Sequence, residues 1–313
     1  MRYPMTSKHH PPRLILPPPL KRGDTVALIL PASRLEEDFY EASLKAFREE
    51  GFFVATFPGK KKRHRFFSAA DEDRAKELNW ALTEPGINAV FCCRGGYGSM
   101  RLLPYLHKFN LKKWRPKIFV GYSDVCFLHQ WLSNRLGWLS FHGPLVGQIS
   151  KTALVNMIEE VLRLPDRKAE VWSECRLIRK GQAEGRLVGG NLSMLQTSGE
   201  AALPREKLIL ALEDVNEYHY RIDRMIWALI HAGYSRFVKG IVLGSFHQCG
   251  KVEKNPFPWE WIRESLEQLC PDGPILEAAQ FGHGLKVQRL LPLGMKLRLK
   301  GKEFRWQRPL VQS

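Results

Sequence analysis

The chain has 313 residues, of which 44% are hydrophobic and 26% are charged, a composition typical of a globular protein of one or two domains. Lys and Arg number 48 against 32 Asp and Glu, so the formal net charge of +16 is compatible with an anionic partner such as a nucleic acid. No uninterrupted apolar stretch of about 18 residues occurs, and the sequence therefore predicts no membrane-spanning helix.

The N-terminal segment and the cysteines favour a cytoplasmic location. Residues 1–20 are basic and rich in proline, but they lack the apolar core of a secretory signal. The six cysteines are scattered and form no C-x-x-C pair. This distribution predicts free thiols in a reducing compartment, with neither a disulfide framework nor a zinc site.

Strands and helices alternate in the first half of the chain. The predicted strands are residues 25–30, 52–57, 87–93 and 117–121. The predicted helices are residues 35–50, 71–82, a segment that begins near Ser99, and 125–136. This alternation predicts a parallel, doubly wound sheet. A run of basic residues at 60–65 is expected to lie in a loop.

The pattern changes after about residue 165. We expect a strand at 208–212, a helix at 218–232 and a strand at 241–244, and the tail from Met295 alternates as a half-exposed strand does. The resulting prediction is an α/β protein with an N-terminal α/β domain and a β-rich C-terminal domain. Its expected segments are residues 1–20 (proline-rich), 21–165 (N-terminal domain), 166–185 (linker) and 186–313 (C-terminal domain).

A glycine-rich turn, Arg94-Gly95-Gly96-Tyr97-Gly98, follows one buried strand directly. Glycines at such a turn let backbone N–H groups approach an anion or an oxyanion closely. An ordinary tight turn between a strand and a helix explains the segment equally well. The pattern is not G-x-G-x-x-G, which argues against a dinucleotide site.

A second turn, Gly121-Tyr122-Ser123-Asp124, also lies between a predicted strand and a predicted helix. It resembles the G-x-S-x-G nucleophile elbow of serine hydrolases but has Val125 where that motif has glycine. The simpler alternative is that Ser123 or Asp124 only caps the helix.

An acid and a base follow in the second half. Glu213 ends an apolar run, where a carboxylate could orient a histidine, although an acidic cluster before a helix is the alternative. His283 lies between two glycines, and His142 is its closest competitor. The order Ser123, Glu213, His283 is the serine–acid–histidine order of α/β hydrolases.

With these residues assembled, the chain resembles the LD-carboxypeptidase family, the serine peptidases of family S66. The resemblance spans roughly residues 20–300. The segments that carry it are Arg22-Gly-Asp24, Pro31-Ala-Ser33, Arg94-Gly-Gly-Tyr-Gly98, Gly121-Tyr-Ser-Asp124, Phe141-His-Gly-Pro144, Gly185-Arg-Leu-Val-Gly-Gly-Asn191, Leu212-Glu-Asp-Val-Asn-Glu217, Tyr220-Arg-Ile-Asp-Arg-Met225, Leu243-Gly-Ser245 and Phe281-Gly-His283.

The resemblance implies a flavodoxin-like or Rossmann-like N-terminal domain, a mostly β C-terminal domain and a site between them. It implies Ser123 as nucleophile, His283 as general base and Glu213 as the residue that orients the base. The backbone N–H groups of Gly96 and Asp124 would form the oxyanion hole. The candidates for substrate binding are Arg94, Gly95, Tyr97 and Asn191.

The implied reaction is hydrolysis of the amide that links meso-diaminopimelate to the terminal D-alanine of murein tetrapeptides, during cytoplasmic peptidoglycan recycling. It needs no metal and no cofactor, and the family suggests a homodimer. Two alternatives stay open: a microcin C-type aminoacyl-nucleotide amidase and, less favoured, a basic nucleic-acid-binding protein. The chain departs from the family at residues 66–70 and in its basic loop, two segments that are expected at the rim of the substrate site.

Overall fold

Two β-sheets organise the computed structural model, which describes residues 12–59, 62–172, 175–250, 259–286 and 288–312. The strands in this part of the chain are β1 Thr25–Ile29, β2 Phe53–Ala55, β3 Ala89–Cys92, β4 Ile118–Gly121, β5 Ser140–His142, β6 Ala169–Val171, β7 Arg176–Arg179, β8 Gln182–Asn191, β9 Leu208–Val215, β10 Val238–His247, β11 Ile275–Glu277, β12 Leu291–Leu293, β13 Lys296–Lys300 and β14 Glu303–Trp306. The helices are α1 Glu37–Glu49, α2 Asp71–Thr83, α3 Leu103–Leu106, α4 Cys126–Leu136, α5 Lys151–Leu162, α6 His219–His231 and α7 Trp259–Leu269.

The first sheet has six strands in the order β12-β5-β4-β3-β1-β2. Strands β1 to β5 are mutually parallel, and β12 pairs antiparallel with β5 at the edge. The order 2-1-3-4-5 of the parallel strands is that of flavodoxin-like folds, which bind ligands beyond the carboxyl ends of the strands. The turns that contain Gly95 and Ser123 follow β3 and β4 at this edge.

Apolar residues on both faces explain why the first sheet is buried. All four residues of β3 are buried, as expected for a parallel strand covered by helices on both sides. Helix α1 packs Phe47 against Phe91 of this strand, with ring centroids 4.8 Å apart. Gly137 adopts a left-handed conformation, with φ of 70°, and ends α4.

The second sheet has eight strands in the order β6-β14-β13-β8-β9-β10-β11-β7. Strands β8 to β11 are parallel in the centre, and antiparallel strands flank them. Helices α6 and α7 contribute Ile226 and Leu266 to an apolar cluster on one face. The other face shares a cluster with the first sheet, in which Ile209 and Phe281 join Phe141. The two sheets therefore enclose a common core.

The predicted fold class is confirmed: a mostly parallel sheet with helices is followed by a mixed, mainly β unit. Segment 166–185, which we expected to be a linker, holds β6 and β7 at opposite edges of the second sheet. Part of the basic loop at 60–65 and most of the proline-rich segment lie outside the described residues. Within the described ranges, none of the helices is both long and apolar enough to traverse a bilayer.

Candidate active site

Ser123 occupies a strained turn between β4 and α4. Its φ is 61°, in the left-handed region that residues other than glycine enter rarely. Such a turn lifts a side chain away from the backbone of the strand, and a nucleophile elbow uses the same conformation. The sequence prediction of a strand, a sharp turn and a helix at this point is confirmed.

The glycine-rich loop lies directly against Ser123. A Cβ atom added to Gly95 would lie 3.0 Å from the Cβ of Ser123 and 3.3 Å from its Oγ, so a side chain at residue 95 would crowd the hydroxyl. Gly96 has φ of 87°, and a Cβ there would lie 2.4 Å from the Oγ of Ser33, the serine after β1. Three strand ends therefore meet at this edge of the sheet.

The carboxylate of Asp124 joins the two turns. It accepts hydrogen bonds from the backbone N–H of Gly98 at 3.2 Å and from that of Ser99 at 2.7 Å. Burial raises the pKa of Asp124, although these bonds oppose the shift. The carboxylate thus holds the glycine-rich loop instead of capping α4. The backbone N–H of Asp124 stays beside Ser123.

Arg74 of α2 is a supporting residue that the sequence analysis missed. It is completely buried, and its guanidinium donates to the carbonyl oxygens of Gly98 at 2.9 Å and Ala69 at 3.2 Å, and also to that of Pro31. One charged group therefore fixes loops that follow β1 and β3. The signal was available, since Arg74 shares a helix face with the buried Leu78, four residues on.

Glu213 and His283 form a hydrogen-bonded pair across 70 residues of sequence. The Nδ1 of His283 lies 2.6 Å from the Oε2 of Glu213, and the His283 backbone N–H donates to the same oxygen at 3.2 Å. Glu213 lies inside β9, with 0% of its side chain exposed, whereas 15% of the His283 side chain remains accessible. With Nδ1–H donated to the carboxylate, Nε2 is left as the basic nitrogen.

The charge on Glu213 is stabilised by imidazoles. Burial raises the pKa of a carboxyl group, but His142 and His283 outweigh it and lower the pKa of Glu213 to about 2. His142, the competing histidine, is fully buried, and its Nε2 lies 3.7 Å from the Oε1 of Glu213. The ring of Tyr122, next to Ser123 in the chain, packs against His283 with centroids 4.5 Å apart. His283 and the serine turn are therefore neighbours.

The proposed substrate-binding residues have different surroundings. Arg94 is partly buried, and it forms no ion pair with any carboxylate of the described residues. Tyr97 is 44% exposed and packs beside Phe66 and Phe67 at the rim. Asn191 is buried, and its amide donates to Asp214 at 3.0 Å. Arg94 and Tyr97 thus remain available to a ligand, whereas the Asn191 amide already has a protein partner.

Two family profiles match consecutive regions of the chain. The profile described as the LD-carboxypeptidase N-terminal domain matches residues 26–143, and that of the LD-carboxypeptidase C-terminal domain matches residues 184–299. The chain belongs to the LD-carboxypeptidase family. Ser123 falls within the first matched region, and Glu213 and His283 fall within the second.

Individual members of the family match this chain over nearly their whole lengths. The murein tetrapeptide carboxypeptidase of Pseudomonas aeruginosa is 32% identical, with 90% of this chain and 94% of the relative covered. The microcin C7 self-immunity protein of Escherichia coli is 26% identical, with 94% of each chain covered. The crystal structure of a muramoyltetrapeptide carboxypeptidase from Oxalobacter formigenes superposes with a TM-score of 0.77 at 26% identity, covering 90% of this chain and 97% of that one.

Proposed function

We propose that this protein is a serine LD-carboxypeptidase that removes the terminal D-alanine from murein tetrapeptides during peptidoglycan recycling in the cytoplasm. The observation that carries the proposal is the buried Glu213–His283 pair, 2.6 Å between Nδ1 and Oε2, beside the strained Ser123 turn. Relatives named for murein peptides support the choice of substrate.

Each residue has a step in the proposed reaction. His283 takes the proton of the Ser123 hydroxyl at Nε2 while Oγ attacks the scissile carbonyl carbon, and Glu213 stabilises the imidazolium. The backbone N–H groups of Gly96 and Asp124 bind the oxyanion, a contact worth about 2.7–4 kcal/mol per donor in other enzymes. D-Alanine leaves with the proton from His283, and water then hydrolyses the acyl-enzyme by the same route.

Arg94 is our candidate for binding the carboxylate of the leaving D-alanine. It immediately precedes Gly95, whose backbone lies against Ser123, and its Nε is buried without a hydrogen-bond partner among the described residues. A carboxypeptidase needs a cation at this place, because the free carboxylate distinguishes its substrate from an internal peptide bond. A guanidinium can bind a carboxylate through two parallel hydrogen bonds.

The test is the release of D-alanine from purified tetrapeptide, followed by mass spectrometry, with tripeptide and pentapeptide stems in parallel. We expect the wild type to cleave the tetrapeptide alone. Ser123→Ala should lose about 10⁶-fold in kcat, the loss seen when a serine nucleophile is removed elsewhere. Ser43→Ala, which removes a buried hydroxyl on α1, serves as the matched control. Undiminished release of D-alanine by Ser123→Ala would exclude the proposed nucleophile.

A second candidate function is hydrolysis of the amide of a microcin C-type aminoacyl nucleotide. It is favoured by the relationship to the microcin C7 self-immunity protein over 94% of the chain. The same triad would act, since both reactions transfer an acyl group from an amide. An aminoacyl sulfamoyl adenosine added to the assay separates the two, because only this second function predicts its cleavage in preference to the tetrapeptide.

A further inference from the structure

His142 is a buried histidine that the proposed catalytic steps do not use. It ends β5, where it pairs with Gly121 of β4 on one side and with Leu291 of β12 on the other. Its side chain is 0% exposed. Neither ring nitrogen has a hydrogen-bond partner among the described residues, and the same is true of the Oε1 of Glu213. Two unsatisfied polar groups therefore face each other 3.7 Å apart in the core.

The surrounding residues leave the His142 ring little freedom. The rings of Tyr122 and Phe281 contact it edge to face, with centroids 5.6 and 5.8 Å away. Gly190 of β8 closes the third side, since a Cβ there would lie 2.8 Å from the Cδ2 of His142. Such packing fixes the direction of Nε2, which points to the carboxylate. Burying a polar group without a partner costs free energy of folding. An interaction between His142 and Glu213 would offset that cost.

We propose that His142 is a positioning residue for the reaction: it donates its Nε2–H to the Oε1 of Glu213 and thereby directs Oε2 to the His283 base. The inference rests on the proposed function of Ser123, Glu213 and His283. The two oxygens of Glu213 are then divided between two imidazoles, one of which stays in the core while the other faces the substrate. The separation of 3.7 Å exceeds the length of a hydrogen bond by about 0.8 Å, which a small rotation of the carboxylate covers without movement of the His142 ring.

His142 also sets the proton affinity of His283. A donor on Oε1 withdraws negative charge from the carboxylate, so His283 holds its proton less tightly than it would beside an isolated carboxylate. Without His142, the imidazolium of His283 is stabilised more strongly and the free base is reached only at higher pH. The acid limb of the rate profile must therefore move to higher pH when the donor is removed.

Other titratable groups face this pair, and most of them keep one charge state. Burial raises the pKa of Tyr122 and of Cys249 to about 12, raises that of Cys126 and lowers that of His129 to about 3. Asp214 is the exception, because burial raises its pKa to about 6. The Asp214→Asn background therefore removes the competing titration.

The test compares His142→Phe, which keeps a planar aromatic ring and loses the donor, with His142→Gln, whose amide can donate from the position of Nε2. The readout is the rate at which a fluorophosphonate labels Ser123 between pH 5 and 9, which depends on the base and not on the peptide. We expect His142→Phe to be about 10- to 100-fold slower, the loss of one hydrogen bond to a charged group. Its acid limb should lie at higher pH, in the Asp214→Asn background as well. His142→Gln should restore most of the rate.

His129→Gln is the matched control, because His129 is an equally buried histidine that bonds Gly121 and Ser140 and not Glu213. It should lower stability without moving the acid limb. If the acid limb of the pH–rate profile does not move in a folded His142→Phe, the proposal is overturned. It is also overturned if the acid limb moves equally in His129→Gln. Wild-type protein that fails to label at Ser123 refutes the proposed function instead. In that case, titration of the His283 ring by NMR in wild type and His142→Phe still decides the role of His142.

Discussion

The two sheets position their parts of the site by different physical means. The first sheet presents Ser123 and the glycine-rich loop through backbone conformation, with φ values of 61° at Ser123 and 87° at Gly96. The second sheet presents Glu213 and His283 through a buried charge and its hydrogen bonds. Backbone geometry places Ser123, whereas electrostatics places His283. The two sides should therefore respond differently to substitution and to pH.

Among substitutions that leave Ser123 in place, the largest effect is expected on the electrostatic side. Glu213→Gln keeps the shape of the side chain but removes the charge that stabilises the imidazolium. Its amide nitrogen can also face Nδ1, which would enforce the wrong tautomer of His283. We expect kcat to fall by about 10⁴-fold, as for the equivalent change in other serine hydrolases. Steady-state kinetics on the tetrapeptide measures this fall in kcat. A loss below tenfold in a folded variant would contradict the role of Glu213.

Arg74→Met tests the backbone side, because Arg74 supports the loops that follow β1 and β3. This change removes the guanidinium that donates to the carbonyl oxygens of Pro31, Ala69 and Gly98, and breaking a buried charged network costs about 3–5 kcal/mol. Urea unfolding measures the loss, and kcat/KM should fall as the glycine-rich loop loses its support. Arg101→Met is the matched control: Arg101 binds the same Asp71 but is 43% exposed, so a much smaller loss of stability is expected. Equal losses of stability in the two variants would show that Arg74 does not hold the loops that follow β1 and β3.

The smallest effects are expected from the pH dependence of stability. They concern two adjacent carboxyl groups of β9 whose pKa values move in opposite directions. The pKa of Glu213 is lowered to about 2, so its stabilising contribution is complete above its unfolded pKa and is lost as the pH falls from about 5 to 2. Burial raises the pKa of Asp214 to about 6, so the folded state favours its neutral form. Its contribution is complete below the unfolded pKa and is lost as the pH rises from about 4 to 6.

Urea unfolding over this pH range tests both signs. The difference in unfolding free energy between wild type and Glu213→Gln should shrink toward pH 2. The corresponding difference for Asp214→Asn should shrink toward pH 6. Two differences that stay constant with pH would show that neither carboxyl group is shifted as described.

Local sequence signals predicted much of the first sheet and the Ser123 turn. The apolar runs before Gly95 and Ser123 identified β3 and β4, because strands buried on both faces have continuous apolar sequences. The sequence also supplied Glu213 and His283 as separate candidates. Their contact depends on how β9 and the loop after β11 are packed, and no local pattern encodes that distance.

Other features were missed for identifiable reasons. Strand β8 contains Gly189 and Gly190, which disfavour a strand locally, yet tertiary packing requires glycine there: a Cβ on Gly189 would lie 2.0 Å from the carbonyl oxygen of Ala211. Glu213 was expected at the end of a strand, but β9 continues to Val215 and buries it fully. The position of His142 depends on a register shared by three strands of the first sheet, which a single sequence does not reveal.

Strand β12 has a consequence for how the molecule is made. Leu291–Leu293 pairs with Ser140–His142, so the first sheet receives its last strand from a segment that follows the central strands of the second sheet. During translation, β5 keeps an open edge until these later residues have left the ribosome. His283 emerges just before that strand, so it is synthesised by the time the first sheet is closed. A nascent chain truncated before His283 carries Ser123 without the histidine that the proposed reaction requires.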